Sequence, residues 1–142
     1  MQIADRIKAD VATAMKAGDR GRVAALRLVL SELQKDAKEG SGDELAVLRR
    51  ERKRRREAEA AYREAGRADL AGGEAYEASA IEAYLPAELS DPELDGLVRE
   101  GIEATGASGP RDMGKVIGHV MKTAGGRADG KRVSTKVKEA LS

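Results

Sequence analysis

The chain contains no Cys, no Phe and no Trp, and only one His and three Tyr occur among its 142 residues. The absence of Cys excludes disulfides, thiolate zinc sites and cysteine nucleophiles. The scarcity of aromatic rings argues against a nucleic-acid reader that stacks bases on rows of such rings. It also leaves the core to Leu, Val, Ile, Met and Ala, and this composition favours closely packed helices.

Long apolar runs are also missing from the sequence. Neither a membrane span nor a secretory leader is visible, so we expect a cytoplasmic protein with no membrane partner. A chain of this length buries roughly two-thirds of its unfolded surface, which suffices for one ordinary domain or two small ones.

Apolar residues recur every three or four positions through most of the chain, and this period predicts an all-α fold. We expect a bundle of about four helices over residues 1–89, with Asp19 and Asp43 as N-caps of the second and third helices. The first helix carries a stripe at four-residue spacing, formed by Ile3, Ile7, Val11 and Met15. A smaller unit of three helices is predicted over residues 90–142, beginning at Ser90, Asp91 and Pro92.

Charge is distributed unevenly, although the net charge is only +1. Residues 1–89 contain 17 basic and 17 acidic side chains, whereas from Arg111 onward eight basic residues face three acidic ones, an excess of +5. An anionic partner is therefore expected at the C-terminal end.

The segment 113–130 combines an amphipathic helix with a basic, glycine-rich turn. Its apolar residues share one predicted helix face, and Lys115, His119 and Lys122 share another, which is available to an anion. Gly114 and Gly118 are four residues apart and are interpreted as a surface on which a neighbouring helix packs.

The turn before the last predicted helix permits two interpretations. In the first interpretation, the free backbone N–H groups at the start of the helix bind a phosphate together with Arg127, Lys131 and Arg132. Alternatively, Asp129 caps the helix and the flanking charges are solvated. The residues alone leave both interpretations open.

The same tail carries a family pattern, M-G-x-x-x-G-x-x-M-K followed by a spacer and G-R-A-D-G, from Met113 to Gly130. It is similar to the tail domain shared by the YqeY proteins and the B subunit of the tRNA-dependent amidotransferase. Upstream residues also fit the YqeY pattern, so the chain resembles a YqeY protein over nearly its whole length. These residues are Lys53, Arg54, Tyr62, Gly66, Arg67, Asp69, Leu70, Glu74, Glu77, Tyr84, Leu85 and Pro86.

The resemblance implies an accessory protein whose C-terminal unit binds tRNA or a similarly folded RNA. Such RNA is read by shape and phosphate contacts, which require cations on a rigid surface but no base-reading aromatics. The implied partner is one of two enzymes. One is a glutamine-dependent tRNA amidotransferase, which is a carbon–nitrogen ligase, and the other is an aminoacyl-tRNA synthetase. The alternative is a protein-interaction module whose N-terminal bundle binds a partner helix. The candidate RNA contacts carried over from the motif are Lys115, Lys122, Arg127, Lys131 and Arg132.

Catalysis is not expected of this chain, and no cofactor or metal site is assigned. No Ser-His-Asp arrangement, paired-carboxylate motif or metal-ligand spacing stands out, and we give His119 no catalytic role. The basic run over residues 49–56 is interpreted as a solvated face with weak ion pairs, and the alternative is a second nucleic-acid patch.

Overall fold

The computed structural model describes residues 2–40 and 42–142, and within these ranges it contains seven α-helices and no strand. The predicted all-α class is confirmed. None of the described helices combines the length and the apolar composition that crossing a membrane requires. The helices are α1 (Ile3–Lys16), α2 (Arg20–Glu39), α3 (Glu44–Glu64), α4 (Ala68–Glu82), α5 (Asp91–Thr105), α6 (Met113–Ala124) and α7 (Gly130–Leu141), and a 3₁₀ turn (Pro110–Asp112) precedes α6.

Local capping chemistry fixes where several helices begin. Asp19 Oδ1 accepts the Arg22 N–H at 3.1 Å at the start of α2, and Asp43 caps α3 in the same way. Ser90 and Glu93 form a reciprocal capping box before α5, with Ser90 Oγ accepting the Glu93 N–H at 3.2 Å. Each side chain satisfies a backbone donor that the helix itself leaves unpaired. The predicted helix starts are therefore confirmed.

The chain divides into two compact units, one ending at Leu85 and the other spanning Pro86–Ser142. The boundary lies four residues earlier than the predicted one between residues 89 and 90. The reason is Leu89, which is buried in the core of the second unit and donates its N–H to the Arg127 carbonyl at 2.8 Å.

The N-terminal unit packs α1 to α4 around an aliphatic core that includes Ile7, Leu26, Leu48 and Ile81. Met15 departs from the predicted stripe, since it is 56% exposed and Ala14 is buried in its place. A helix turns every 3.6 residues, so a strict four-residue spacing drifts around the axis and has left the core by its fourth member. Met15 consequently lies on the surface.

The C-terminal unit packs α5, α6 and α7 around Leu94, Val116, Val120, Val133 and Val137, all fully buried. Together they give this short segment its own core.

A glycine allows α5 and α6 to approach closely, but it is not one of the two predicted. A Cβ on Gly101 of α5 would lie 3.2 Å from Val120 Cγ2 and 3.4 Å from Val116 Cγ1. A Cβ on Gly114 or Gly118 would meet no atom of the described residues within 4 Å. Within the C-terminal unit, the interpretation of Gly114 and Gly118 as a packing surface is therefore wrong, because they lie on the side of α6 that faces away from the core of this unit.

Candidate nucleic-acid interface

The two faces of α6 differ in their surroundings as the amphipathic pattern predicts. Val116, Val120 and Ala124 are buried in the core, whereas Lys115 and Lys122 are exposed on the opposite side. The two lysines are seven residues apart, or two helical turns, so they lie on the same face. His119 is half-buried beside Gly101, towards α5, and does not share the open surroundings of the lysines.

The turn between α6 and α7 depends on two glycines and an aspartate. Gly125 and Gly126 have φ of 58° and 83°, values that other residues rarely adopt. Asp129 Oδ1 then accepts the Arg132 N–H at 2.8 Å, so the aspartate caps α7. The predicted Asp129 cap is confirmed, and one of the N–H donors proposed for a phosphate is already occupied. The expectation that all flanking charges are solvated is wrong for Arg132, which is bonded to Leu89 and Asp91.

Arg132 is held by groups of its own unit. Its Nη1 donates to the Leu89 carbonyl at 2.7 Å and its Nη2 to Asp91 Oδ1 at 2.7 Å, which leaves the side chain 27% exposed. The hydrogen bond from Arg132 is the largest cause that lowers the pKa of Asp91, and the same bond raises the pKa of Arg132. The guanidinium thus fastens the start of α7 to the start of α5.

Arg127 makes a related but looser attachment. Its Nε donates to the Ala87 carbonyl at 2.8 Å, and its Nη2 lies 3.9 Å from Glu93 Oε2. The side chain remains 42% exposed. Arg127 therefore holds the turn in place while keeping part of its guanidinium in solvent.

Lys136 adds a third link to α5, with its Nζ 3.1 Å from Asp95 Oδ1 and 4.0 Å from Asp91 Oδ1. The hydrogen bond to Asp95 is the largest cause that raises the pKa of Lys136. On the side of α7 that faces α5, the basic side chains Arg132 and Lys136 therefore form ion pairs that hold the two helices together.

The remaining lysines of α6 and α7 have different surroundings. Lys115, Lys122 and Lys131 are exposed, and within residues 2–40 and 42–142 no carboxylate pairs with them. Lys138 is also exposed and has no described carboxylate partner, and the sequence analysis did not include it among the candidate residues. Its position two helical turns after Lys131 could have indicated that both lysines share one side of α7. We call Lys115, Lys122, Lys131 and Lys138 the lysine face.

Helix geometry places these lysines away from the paired charges. Successive residues of a helix are about 100° apart, so Lys131 and Lys138 are rotated by about 100° or more from Arg132 and Lys136. A Cβ on Gly130, directly before Lys131, would lie 4.0 Å from Met121 Cε of α6. The start of α7 therefore lies against α6, and Lys131 and Lys138 are exposed on a side of α7 that differs from the paired side.

Four arginines of α3, namely Arg54, Arg55, Arg56 and Arg63, pair with carboxylates of α4 or of α3 itself. Arg55 lies 3.3 Å from Glu77 and 3.4 Å from Glu74, and Arg56 Nη2 lies 2.9 Å from Glu82. The hydrogen bond to Glu59 is the largest cause that raises the pKa of Arg56. Ion pairs thus occur as expected, but several of them bridge two helices instead of lying along a solvated face.

The family model described as Yqey-like protein matches residues 4–141 of the chain. The chain belongs to this family. The match covers both units, and it confirms the membership that the tail motif and the upstream residues indicated. A search of curated proteins finds no match. Among the described residues, no group of three or more His, Asp or Glu side chains is arranged to hold a metal ion.

Proposed function

We propose that the C-terminal unit binds tRNA or a similarly folded RNA through the lysine face, as a non-catalytic accessory. The observation that carries the proposal is the contrast within one small unit. Arg132 and Lys136 are engaged with acidic partners, while the lysines of the lysine face are exposed without one. Unpaired lysines on a rigid helical surface are suited to phosphate contacts, which provide most of the affinity for folded RNA.

Gly114 and Gly118 support the same surface. An interior helix glycine costs about 1 kcal/mol relative to Ala, and neither glycine gains a close helix contact within the described chain. Their lack of side chains exposes the backbone of α6 beside Lys115 and Lys122. A bulky sugar-phosphate chain approaches such a surface more closely than it approaches a helix covered by side chains.

Arg127 and Arg132 enter the proposal mainly as residues that fix the turn before α7. Their hydrogen bonds to the Ala87 and Leu89 carbonyls attach this turn to the segment before α5. Arg127 remains 42% exposed and is proposed as a minor RNA contact. The partner enzyme that we propose is a glutamine-dependent tRNA amidotransferase or an aminoacyl-tRNA synthetase, as the resemblance of the tail domain implies.

A salt titration of the full chain with unmodified tRNA tests the proposal. Four phosphate contacts predict that log affinity falls linearly with log salt, with a slope of about 3. Duplex DNA and a single-stranded homopolymer serve as comparison ligands, and folded RNA is expected to bind more tightly than either. Absence of tRNA binding at low salt, or a slope near zero, would contradict the proposal.

A further inference from the structure

A groove of about 520 Å³ opens in the N-terminal unit, between the end of α1 and the first half of α2. Its floor is apolar and includes Met15, the most exposed large hydrophobic side chain among the described residues. Two arginines border it. The residues that line the groove include Met15, Asp19, Arg20, Val23, Ala24 and Arg27.

The two arginines lie on one face of α2, where they can pair with two carboxylates of a ligand. Arg20 and Arg27 are seven residues apart on α2, so they share one face about 10.5 Å apart along the axis. No carboxylate of the described residues pairs with either, and Arg27 Nη2 has Met15 Sδ at 3.5 Å. The acidic residue at this border, Asp19, is engaged as the N-cap of α2. The capping carboxylate keeps its charge, so two arginines and one aspartate leave the border with a net positive charge.

We propose that this groove binds a short amphipathic helix of a partner protein that carries two carboxylates seven residues apart and an apolar side chain between them. Both helices rise 1.5 Å per residue, so an aligned partner places its carboxylates at the spacing of Arg20 and Arg27. The apolar side chain enters the floor, where the flexible thioether of Met15 adapts to its shape. An apolar floor favours such a peptide over RNA, whose backbone has nothing comparable to fill it.

The methionine methyl groups provide a direct test on the full chain. The protein is labelled with ¹³C at the Met methyl groups and titrated with a capped, alanine-based helical peptide that has two Glu seven positions apart and Leu between them. We expect the Met15 methyl signal to shift in a saturable way, while Met113 and Met121 of the other unit stay unchanged. A matched peptide with Lys in place of both Glu is expected to bind at least about fivefold more weakly.

A charge exchange distinguishes a specific groove from general stickiness. The variant R20E/R27E is expected to lose at least about fivefold in affinity for the Glu peptide and to prefer the Lys peptide. The control K8E/K38E changes the net charge equally at exposed lysines outside the groove, and it should keep the preference for the Glu peptide. Tyrosine fluorescence, which comes only from the N-terminal unit, verifies that each variant is folded.

Three results would overturn the proposal. These are a Met15 signal that does not respond to the Glu peptide, equal responses to both peptides, and R20E/R27E behaving like K8E/K38E. A Met15 shift produced by tRNA and not by the Glu peptide would assign the groove to RNA and would also overturn it. None of these results depends on whether the lysine face of the other unit binds RNA.

Discussion

The arginines of α3 and the lysine face of α6 and α7 are both basic sets, but of these two only the arginine set has described carboxylates of a neighbouring helix beside it. Arg55 and Arg56 reach Glu74, Glu77 and Glu82 of α4. The lysine face has no such acidic neighbour within residues 2–40 and 42–142. The number of positive charges in a segment is therefore a weaker guide to an anion surface than the position of the compensating carboxylates.

In the N-terminal unit, the pairing includes a buried carboxylate, that of Glu51. It is 3% exposed, the one buried charged residue among those described, and it lies 3.1 Å from Arg54 and 3.8 Å from Arg55. Burying a carboxylate is tolerable only when cations and donors surround it. Arg54 and Arg55 thus stabilise the fold of their unit, and a role as free RNA contacts would compete with their pairing to Glu51.

Removing Arg55 should give the largest effect. In Arg55→Ala, Glu51, Glu74 and Glu77 lose a shared cation, and we expect the N-terminal unit to lose about 2–3 kcal/mol of unfolding free energy. Urea unfolding followed by tyrosine fluorescence measures this unit alone, because all three Tyr lie in it.

The matched control is Arg50→Ala, which removes an exposed arginine that forms no described ion pair and should change stability by less than about 0.5 kcal/mol. Equal losses in the two variants would show that the α3 charges are not differentiated in the way the contacts indicate.

Alkaline pH should destabilise the N-terminal unit through the ionisation of Tyr84. The Tyr84 hydroxyl donates to Asp10, and Arg6 lies over the ring at 5.3 Å from its centroid. Burial, followed by this hydrogen bond, raises the pKa of Tyr84 to about 12. The folded pKa of Tyr84 exceeds the unfolded value of about 10. The protonated hydroxyl therefore stabilises the folded unit below pH 10, and this stabilisation is lost as pH rises to about 12.

We therefore expect the N-terminal unit to lose on the order of 2 kcal/mol over this pH window beyond what the variant Tyr84→Phe loses. Urea unfolding followed through the Met15 methyl signal, which reports on this unit and does not ionise in this pH range, measures the difference. Identical alkaline profiles for the two proteins would contradict the assignment.

Two glycine substitutions sharpen the contrast between the core and the lysine face of the C-terminal unit. Gly101→Ala should destabilise this unit by about 1 kcal/mol, because the pressure of its Cβ on the buried Val120 and Val116 outweighs the gain in helix propensity. Gly118→Ala should stabilise it by about 0.5–1 kcal/mol, since the site is open and helical. Urea unfolding followed through the Met113 and Met121 methyl signals measures both. If Gly118→Ala destabilised the unit, the open surroundings of this glycine would be refuted.

The parts of the fold that depend on adjacent residues were predictable. Asp19, Asp43 and Ser90 cap helices through hydrogen bonds to residues three positions away, so the local sequence contains all the information needed. Lys138 could have been found in the same way from its spacing to Lys131.

The parts that depend on distant neighbours were not predictable. Asp91 lies 41 positions from Arg132, and nothing in the tail sequence shows that this arginine is engaged by it. The close glycine is likewise Gly101 and not Gly114 or Gly118, because the side on which a neighbouring helix lies is a property of the assembled unit. Among the five candidate residues, the sequence alone therefore could not separate the free lysines from the engaged arginines.

The adjacent residues Lys131 and Arg132 give the most direct test of the central claim, which is that free lysines bind RNA and engaged arginines hold the fold. Two measurements are made on each variant: the salt dependence of tRNA affinity, and urea unfolding followed through the Met113 and Met121 methyl signals. Lys131→Ala should reduce the slope of log affinity against log salt by about 0.7–0.9 without altering stability. Arg132→Ala should leave that slope unchanged and lower the stability of the C-terminal unit by about 1 kcal/mol. The opposite pattern, with the slope changed by Arg132→Ala and not by Lys131→Ala, would contradict the account.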